Sequence, residues 1–251
     1  MTGSVSHRTP YQGLVQIFQY NRPFYAWTVA GIAGAVILSM SVSVPLRTLL
    51  LFAAGIAVFW TSSSLLVSYY VYDRSDLYRL SWLPECLSQA PSRWINIHAG
   101  LDEVSVAIAS IFPGSEMQIA DIYDPREMTE PSIKRARRIS AASSERADCR
   151  VLLALDQQFD TAFLIFSAHE LRRHEARVRL LRDVARVLRA SGELVVVEHL
   201  RDWANFVAFG PGFLHFFSAR AWQSDAKAAG LDLRLRRRVT PFVHVFVFQR
   251  R

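Results

Sequence analysis

The chain has 251 residues, of which 51% are apolar and 20% are charged, and it carries a formal net charge of +7. These values exclude a disordered or collagen-like chain, and the length allows one sizeable domain with an additional segment. Its two cysteines, Cys86 and Cys149, stand in unrelated contexts, which excludes a disulfide framework and a zinc site of four thiolates. We predict no metal site.

Residues 1–23 precede the first long apolar run. Four residues, Tyr11, Leu14, Val15 and Phe18, recur at the spacing i, i+3, i+4 and i+7, which predicts a short helix with one apolar face. This face is expected either to lie on a membrane surface or to pack on the soluble domain.

Two uncharged runs follow and are separated by Arg47 alone. Each is longer than the roughly 20 residues that a helix needs to cross a bilayer. The sequence therefore predicts a transmembrane helical hairpin over residues 24–72, with spans at Phe24–Leu46 and Thr48–Tyr70 and a turn at Pro45-Leu46-Arg47. A buried hairpin inside a soluble protein is the alternative, but the remaining chain is too short to enclose two helices that are apolar on all sides.

The charges that flank the hairpin predict its orientation. More basic residues precede the first span and follow the second than lie in the turn, where Arg47 stands alone. By the positive-inside rule, both termini and the soluble domain are cytoplasmic, and we expect an integral protein of the bacterial inner membrane.

After a linker over residues 73–91, short apolar segments alternate with charged helical stretches over residues 92–251. This alternation predicts βαβ units and a mainly parallel sheet. The predicted strands are Trp94–Ile97, Met117–Ile122, Val151–Leu153, Thr161–Phe166, Glu193–Glu198, Leu231–Leu235 and Val243–Phe248, of which the last two form an antiparallel pair. The predicted helices lie near Glu103–Ser110, Ser132–Ser140, Glu175–Leu188 and Ala221–Ala228.

Four motifs in this order resemble the class I S-adenosylmethionine-dependent methyltransferases. They are INIHAGLDE, QIADIYDP, FDTAFLIFSAHEL and the run LLRDVARVLRASGELVVVEH, and the later segment AWQSDAKAAGLDLRL is similar to a helix-to-strand step of that family. The resemblance covers roughly residues 92–251, and the fifth-strand region is most similar to quinone C-methyltransferases. It implies a Rossmann-like sheet of seven strands and S-adenosylmethionine as the cofactor.

The resemblance also implies which residues bind that cofactor. The loop after the first strand is the cradle, in which Gly100 is the one remaining family glycine. The cofactor-binding candidates are Asn96, His98, Gly100, Asp102, Asp121 and Ile122. Asp121 ends the second strand, where a carboxylate accepts hydrogen bonds from the ribose hydroxyls, although a turn aspartate is the alternative. A carboxylate at Asp102 or Glu103 is expected either to cap the next helix or to contact the cofactor.

Two pairs at strand ends are candidates for catalysis, namely His169 with Glu170 and Glu198 with His199. A histidine near its ordinary pKa can take a proton from a phenol or an activated ring carbon, but a structural role is the more frequent one.

An aromatic segment follows the fifth strand, and its rings are expected either to fill the core or to receive a lipophilic substrate. The substrate-binding candidates are Trp203, Phe206, Phe209 and Phe213. The arginine-rich stretch over residues 172–189 predicts an amphipathic surface helix, whose arginines are expected either to face solvent or to contact anionic lipid headgroups. The basic cluster SIKRARR predicts a solvated face.

Together these features predict a membrane-bound methyltransferase acting on a quinone or another lipid, with the bilayer as its partner. An inactive methyltransferase-fold scaffold or binding protein is the alternative, because most of the family glycines are absent. A nicotinamide-dependent reductase lacks its G-x-G-x-x-G motif here, and no nucleic-acid module accompanies the positive charge. The sequence leaves the oligomeric state open.

Overall fold

The computed structural model describes residues 9–139, 145–146 and 151–251. Cys149 lies outside these residues. In the described chain, a seven-stranded sheet forms the centre of an α/β part and an apolar helical hairpin lies at one side of it.

The sheet has the order β3-β2-β1-β4-β5-β7-β6. Strands β1 to β5 pair in parallel, whereas β7 pairs antiparallel to both β5 and β6. The strands are β1 (Arg93–His98), β2 (Glu116–Asp121), β3 (Glu145–Arg146), β4 (Phe159–Ile165), β5 (Leu188–His199), β6 (Leu231–Thr240) and β7 (Val243–Arg250). The predicted antiparallel final pair is confirmed.

One predicted strand is wrong. Residues 151–153 form no strand, and the two-residue strand β3 pairs with β2 instead. The apolar run at this place contributes only Leu152 to the core, while Val151 and Leu153 are exposed. The main-chain N–H of Leu152 donates a hydrogen bond to the buried Asp183 carboxylate, which holds the segment against a helix rather than in the sheet.

Apolar layers cover both faces of the sheet. One layer contains α5 (Pro131–Ile139), α6 (His174–Val187) and α8 (Ala219–Ala228), and the other contains α4 (Ser105–Ile111). Residues 73–91, which we expected to be a linker, belong to this second layer. Their apolar side chains pack with Trp94 and Phe163 on the sheet; they are Leu77, Leu80, Trp82, Leu83, Cys86 and Leu87.

The N-terminal part contains α1 (Gln12–Tyr20), α2 (Arg22–Ser39) and α3 (Val44–Tyr69), followed by a π-helical turn at Tyr70–Arg74. The first predicted span ends too late, because α2 stops at Ser39. The predicted turn is also displaced toward the C-terminus. Pro45 lies in the first turn of α3, a position at which proline needs no hydrogen-bond partner for its nitrogen.

Among the described residues, one helix is long and apolar enough to cross a membrane, namely α3 with its continuation to Arg74. Hardly any of its apolar stretch is buried, so it is not a core helix. The helix α2 packs against it but is shorter, with 18 residues. A second membrane span is therefore not shown.

The hairpin packs on the α/β part through α7 (Trp203–Phe209) and the 3-10 turn at Gly210–His215. The rings of Trp60 and Phe206 meet edge to face at 5.6 Å. Trp60 also packs directly on Gly210, where a Cβ atom would clash with the indole and where φ is +53°. These contacts place the end of α3 over the carboxyl edge of the sheet.

Candidate functional site

A cavity of about 620 Å³ lies beyond the carboxyl ends of β1, β4 and β5, where open α/β sheets bind their ligands. Both parts of the chain line it. The hairpin contributes apolar and hydroxyl side chains, and the sheet edge contributes Phe166 and three ionisable side chains, His169, Glu170 and His199.

The pair His169 and Glu170 stands on a 3-10 turn directly after β4. Nδ1 of His169 lies 2.8 Å from a carboxylate oxygen of Glu198, and its Nε2 lies 3.5 Å from Glu170. The fourth member of this group is His215, whose ring meets that of His169 at 5.4 Å. The structure thus brings together His169, Glu170 and Glu198, and it adds a histidine that the sequence did not indicate.

Burial and charge act in opposite directions on this group. Burial disfavours the charged form of His169, but Glu198 and Glu170 outweigh it and raise its pKa to about 10. Burial raises the pKa of Glu198 and opposes ionisation of Glu170, whose pKa is nevertheless lowered by His169. The prediction that His169 is a base near its ordinary pKa does not fit these surroundings.

His199 has a different environment, although it follows Glu198 directly. Its Nδ1 lies 3.0 Å from the carbonyl oxygen of Phe242, so this nitrogen carries the proton. Its Nε2 is therefore the acceptor for the Tyr72 hydroxyl at 2.9 Å. Burial lowers the pKa of His199 to about 4, which keeps the imidazole neutral at physiological pH.

The loop after β1 is held by its own side chains. Asn96 donates hydrogen bonds to the Asp102 carboxylate at 3.0 Å and to Ser105 at 2.9 Å. Asp102 accepts the main-chain N–H groups of Val104 and Ser105, so it supplies the capping interaction that was one of the two predicted roles. Gly100 has a φ of +103°, which favours glycine.

Strands β1 and β2 bring His98 and Asp121 side by side. Nδ1 of His98 accepts the N–H of Gly100 at 3.0 Å. Its Nε2 is buried and has no hydrogen-bond partner among the described residues. Burial lowers the pKa of His98, so the ring favours its neutral form.

Asp121 is buried and forms an ion pair with Arg137 of α5, with an Nη1–Oδ2 distance of 2.7 Å. Its other carboxylate oxygen accepts the N–H of Tyr123 at 3.0 Å. The Arg137 side chain also covers Gly100, where an added Cβ atom would clash with it. The basic cluster on α5 is thus not only a solvated face.

A smaller cavity of about 190 Å³ lies between this loop and α1. Its lining includes Asn96, His98 and His169, and it shares His169 and Phe166 with the larger cavity. Ile122 lines neither cavity and is fully buried in the core beside the sheet.

The aromatic candidates separate into three environments. Phe209 lines the large cavity, whereas Phe206 and Phe213 pack on each other at 5.1 Å and Phe206 contacts the hairpin. Trp203 is 75% exposed on the surface. The segment therefore mainly joins the domain to the hairpin, and one of its four predicted side chains reaches the cavity.

Several functional neighbours were missed by the sequence analysis. Arg177 was expected on a solvated face, but it is buried and pairs with Asp225 at 2.7 Å. Tyr72, which follows the second predicted span, binds His199. The sequence feature that could have indicated His215 as a site residue is its place next to the aromatic segment.

No family model and no curated protein sequence matches this chain. Solved structures match at low identity. The chain is similar to the pyocyanin biosynthetic protein PhzM, with 14% identity and a TM-score of 0.57 over 100% of this chain and 76% of that one. It is similar to PigF with SAH, with 13% identity and a TM-score of 0.55 over 96% of this chain and 74% of that one.

A SAM-dependent methyltransferase from Aquifex aeolicus is 12% identical, with a TM-score of 0.52 over 75% of this chain and 97% of that one. At this identity, the likeness concerns the fold. The described sheet, with its antiparallel final strands, therefore has the Rossmann-like fold of class I methyltransferases, as the sequence motifs implied.

Proposed function

We propose that this chain is a membrane-anchored S-adenosylmethionine-dependent methyltransferase that acts on a lipophilic small molecule of the quinone or lipid class. The observation that carries the proposal is the shared lining of the 620 Å³ cavity. An apolar hairpin and the ligand-binding edge of a methyltransferase sheet enclose one space, which a purely soluble acceptor does not require.

The residues beside β1 and β2 fit the cofactor. A carboxylate has about four acceptor positions, and the contacts of Asp121 with Arg137 and Tyr123 use two of them. Two remain for a vicinal diol. The buried Nε2 of His98 has no hydrogen-bond partner in the described chain and would gain one from a polar ligand in the smaller cavity.

When bound, S-adenosylmethionine supplies an electrophilic methyl group, so the protein mainly has to position the acceptor and exclude water. In our proposal, Asp121 and the loop from His98 to Asp102 hold the cofactor. His169 and Glu170 orient the acceptor by hydrogen bonds from the side of the larger cavity. His199 is neutral and already bonded to Tyr72, which supports a role in shaping the cavity wall.

Membrane insertion of the α2–α3 hairpin is supported by its exposed apolar surface. Large apolar side chains that are left in water favour association with a partner or a membrane. Trp27 is 78% exposed and Phe52 is 66% exposed, and the same surface includes Val29, Ile37, Leu38, Leu49, Phe59 and Leu66. The basic residues that flank the hairpin support cytoplasmic termini and a cytoplasmic domain.

The geometry of the hairpin relates the cavity to the membrane. Beyond the cavity, residues 29–39 and 44–56 provide about 16 to 20 Å of helix at 1.5 Å per residue. A hydrocarbon core is about 30 Å thick. The helices beyond the cavity are about 10 to 14 Å shorter than this thickness, so a hairpin that spans the core places the cavity mouth within the edge of the bilayer, where a lipid enters without passing through water. The exposed ring of Trp203 suits this headgroup level.

Transfer of a labelled methyl group tests the proposal. Full-length protein in lipid vesicles is incubated with methyl-labelled S-adenosylmethionine and a bacterial lipid extract. We expect label in the organic phase with the wild type and with an Asp76→Ala control, whose carboxylate forms a surface ion pair with Arg79, and a loss of at least tenfold with Asp121→Ala. Label found only in water-soluble products contradicts the lipophilic acceptor.

Insertion is tested separately by placing a cysteine at Ser41, in the α2–α3 turn, in a variant that lacks Cys86 and Cys149. A spanning hairpin exposes this cysteine to an impermeant thiol reagent from the side opposite to the domain. Labelling from the cytoplasmic side contradicts the spanning hairpin.

A second candidate function is a methyltransferase-fold binding protein without catalysis. The Arg137 side chain supports it, because it covers Gly100 and neutralises Asp121, at the place where the cofactor would lie. No binding of S-adenosylhomocysteine by the wild type, together with no methyl transfer to lipid or soluble extracts, would favour this candidate.

A further inference from the structure

We propose that His169, Glu170 and His215 form a binding site for a divalent first-row transition metal, such as Zn²⁺, in the wall of the large cavity. One ligand atom from each of the three side chains lies within 4.8 Å of the other two. In a tetrahedral zinc site with bonds of about 2.1 Å, ligand atoms are about 3.4 Å apart. Side chains that move by about 1 Å would therefore bring the three ligand atoms to the distances that a bound ion requires.

The donor set favours this class of metal. Two imidazoles and one carboxylate are the ligands of many catalytic zinc and non-haem iron sites, whereas Mg²⁺ and Ca²⁺ prefer oxygen donors alone. One oxygen of Glu170 is buried and has no hydrogen-bond partner in the part of the chain that the structure describes. An unpartnered carboxylate oxygen between two histidines is an available metal ligand.

Carboxylates lie beside both histidines. The Glu198 carboxylate lies 2.8 Å from Nδ1 of His169, which leaves Nε2 on the side of Glu170. Nδ1 makes no hydrogen bond in the described chain, so a small rotation of the ring toward Glu198 would give the carboxylate–histidine arrangement that commonly supports metal ligands. On the other side, Glu130 lies 3.9 Å from Nδ1 of His215. A bound ion would displace the proton of His169, and the carboxylates of Glu130, Glu170 and Glu198 would then balance the charge of the ion.

Arg172 connects the two segments that carry the histidines. Its Nη1 donates hydrogen bonds to the carbonyl oxygen of His215 at 2.6 Å and to that of His169 at 3.3 Å. The guanidinium thus holds the turn after β4 next to the end of the 3-10 turn at Gly210–His215. The proposed ligands are positioned by main-chain contacts before any ion binds.

All three ligands line the 620 Å³ cavity, so a bound ion would keep open positions on that side. An oxygen atom of the acceptor, as in a hydroxyl-bearing or quinol ring, would occupy one of them. This last step rests on the proposed function, whereas metal binding itself does not.

The test uses the full-length protein in detergent, without cofactor or acceptor. Calorimetry with Zn²⁺ is expected to give one equivalent for the wild type. Glu170→Gln and His215→Gln should each lose affinity at least tenfold, and Glu198→Gln should lose about tenfold because it removes the supporting carboxylate. The matched control is His174→Gln, since this histidine is 55% exposed and lies outside the cavity.

Cobalt provides a second measurement. Co²⁺ bound by the wild type should give visible absorption bands that are absent from both ligand variants, even if one variant is less stable. No zinc binding by the wild type overturns the proposal and leaves only the His169–Glu198 ion pair. Binding that both ligand variants retain also overturns it, because the ion would then lie elsewhere. Calorimetry of the same samples with S-adenosylhomocysteine tests the proposed function independently.

Discussion

Replacing Arg177 by methionine is expected to lower the free energy of unfolding by about 3–5 kcal/mol. The side chains of Arg177 and Asp225 are 5% and 2% exposed, and their Nε and Oδ2 atoms are 2.7 Å apart. Removing the guanidinium leaves the buried Asp225 carboxylate with the half-exposed His174 ring at 2.7 Å as its partner, and breaking such a buried pair costs about 3–5 kcal/mol. Methionine retains much of the apolar volume, so the loss reports on the ion pair together with the main-chain hydrogen bonds of the guanidinium.

The same guanidinium supports the candidate site. It donates to the carbonyl oxygens of Leu171 at 2.9 Å and Arg172 at 3.0 Å, directly after the turn that holds His169 and Glu170. Arg177→Met should therefore also reduce methyl transfer at temperatures at which the variant is still folded.

Thermal unfolding followed by circular dichroism measures the effect. At about 2–4 °C per kcal/mol, the expected decrease in Tm is about 6–20 °C. Arg179→Met is the matched control on the same helix, because its side chain is 39% exposed and lies 3.6 Å from Glu127. This surface pair should contribute at most about 1 kcal/mol.

A double variant identifies the cause. Arg177→Met combined with Asp225→Leu removes both charges and should lose less than the sum of the two single variants. A decrease below about 1 kcal/mol for Arg177→Met, or full additivity in the double variant, refutes the buried-pair argument.

Three further predictions concern the cofactor loop, the hairpin contact and a buried histidine. Arg137→Met should tighten S-adenosylhomocysteine binding severalfold in calorimetry, because it uncovers Gly100 and Asp121. Weaker binding would contradict the interpretation that the Arg137 side chain occupies the cofactor site. Gly210→Ala should cost about 1–3 kcal/mol in thermal unfolding, since its φ is +53° and Trp60 packs on it, whereas Gly212→Ala, with only Phe209 at 3.9 Å, should be neutral. The pKa of His199 is about 4 in the folded state, below the ordinary 6.5 of the unfolded chain. Between these pH values the unfolded chain binds a proton that the folded protein does not, so the free energy of unfolding is highest above about pH 6.5 and decreases as the pH falls toward 4. His199→Asn should therefore reduce the decrease in Tm between pH 7 and pH 5, and an unchanged decrease contradicts a buried neutral His199.

Much of the sheet could be predicted from the sequence because its pattern is local. Alternating apolar strands and charged helices determine the order of elements, and six predicted strands overlap observed ones. The segment 151–153 failed because a short apolar run does not by itself distinguish a strand from a packed loop. Pro45 was interpreted as a turn residue, although proline is equally suited to the first turn of a helix.

The site itself was less accessible to sequence analysis. Motif order placed His169, His199 and Asp121 at strand ends, and the structure brings His169 and Glu198 together. The contacts that define their chemistry join residues far apart in the chain, such as Tyr72 with His199. Likewise, Arg177 could not be separated from the exposed arginines of its helix, because its burial depends on Asp225 of another helix.

Equilibrium binding of S-adenosylhomocysteine to the full-length protein in detergent tests the central claim most directly. The account predicts one bound molecule per chain, and a ten- to hundredfold weaker affinity for Asp121→Ala, since a hydrogen bond to a charged acceptor contributes about 1.5–3 kcal/mol. No binding by the wild type at millimolar ligand, or unchanged affinity in Asp121→Ala, would contradict it.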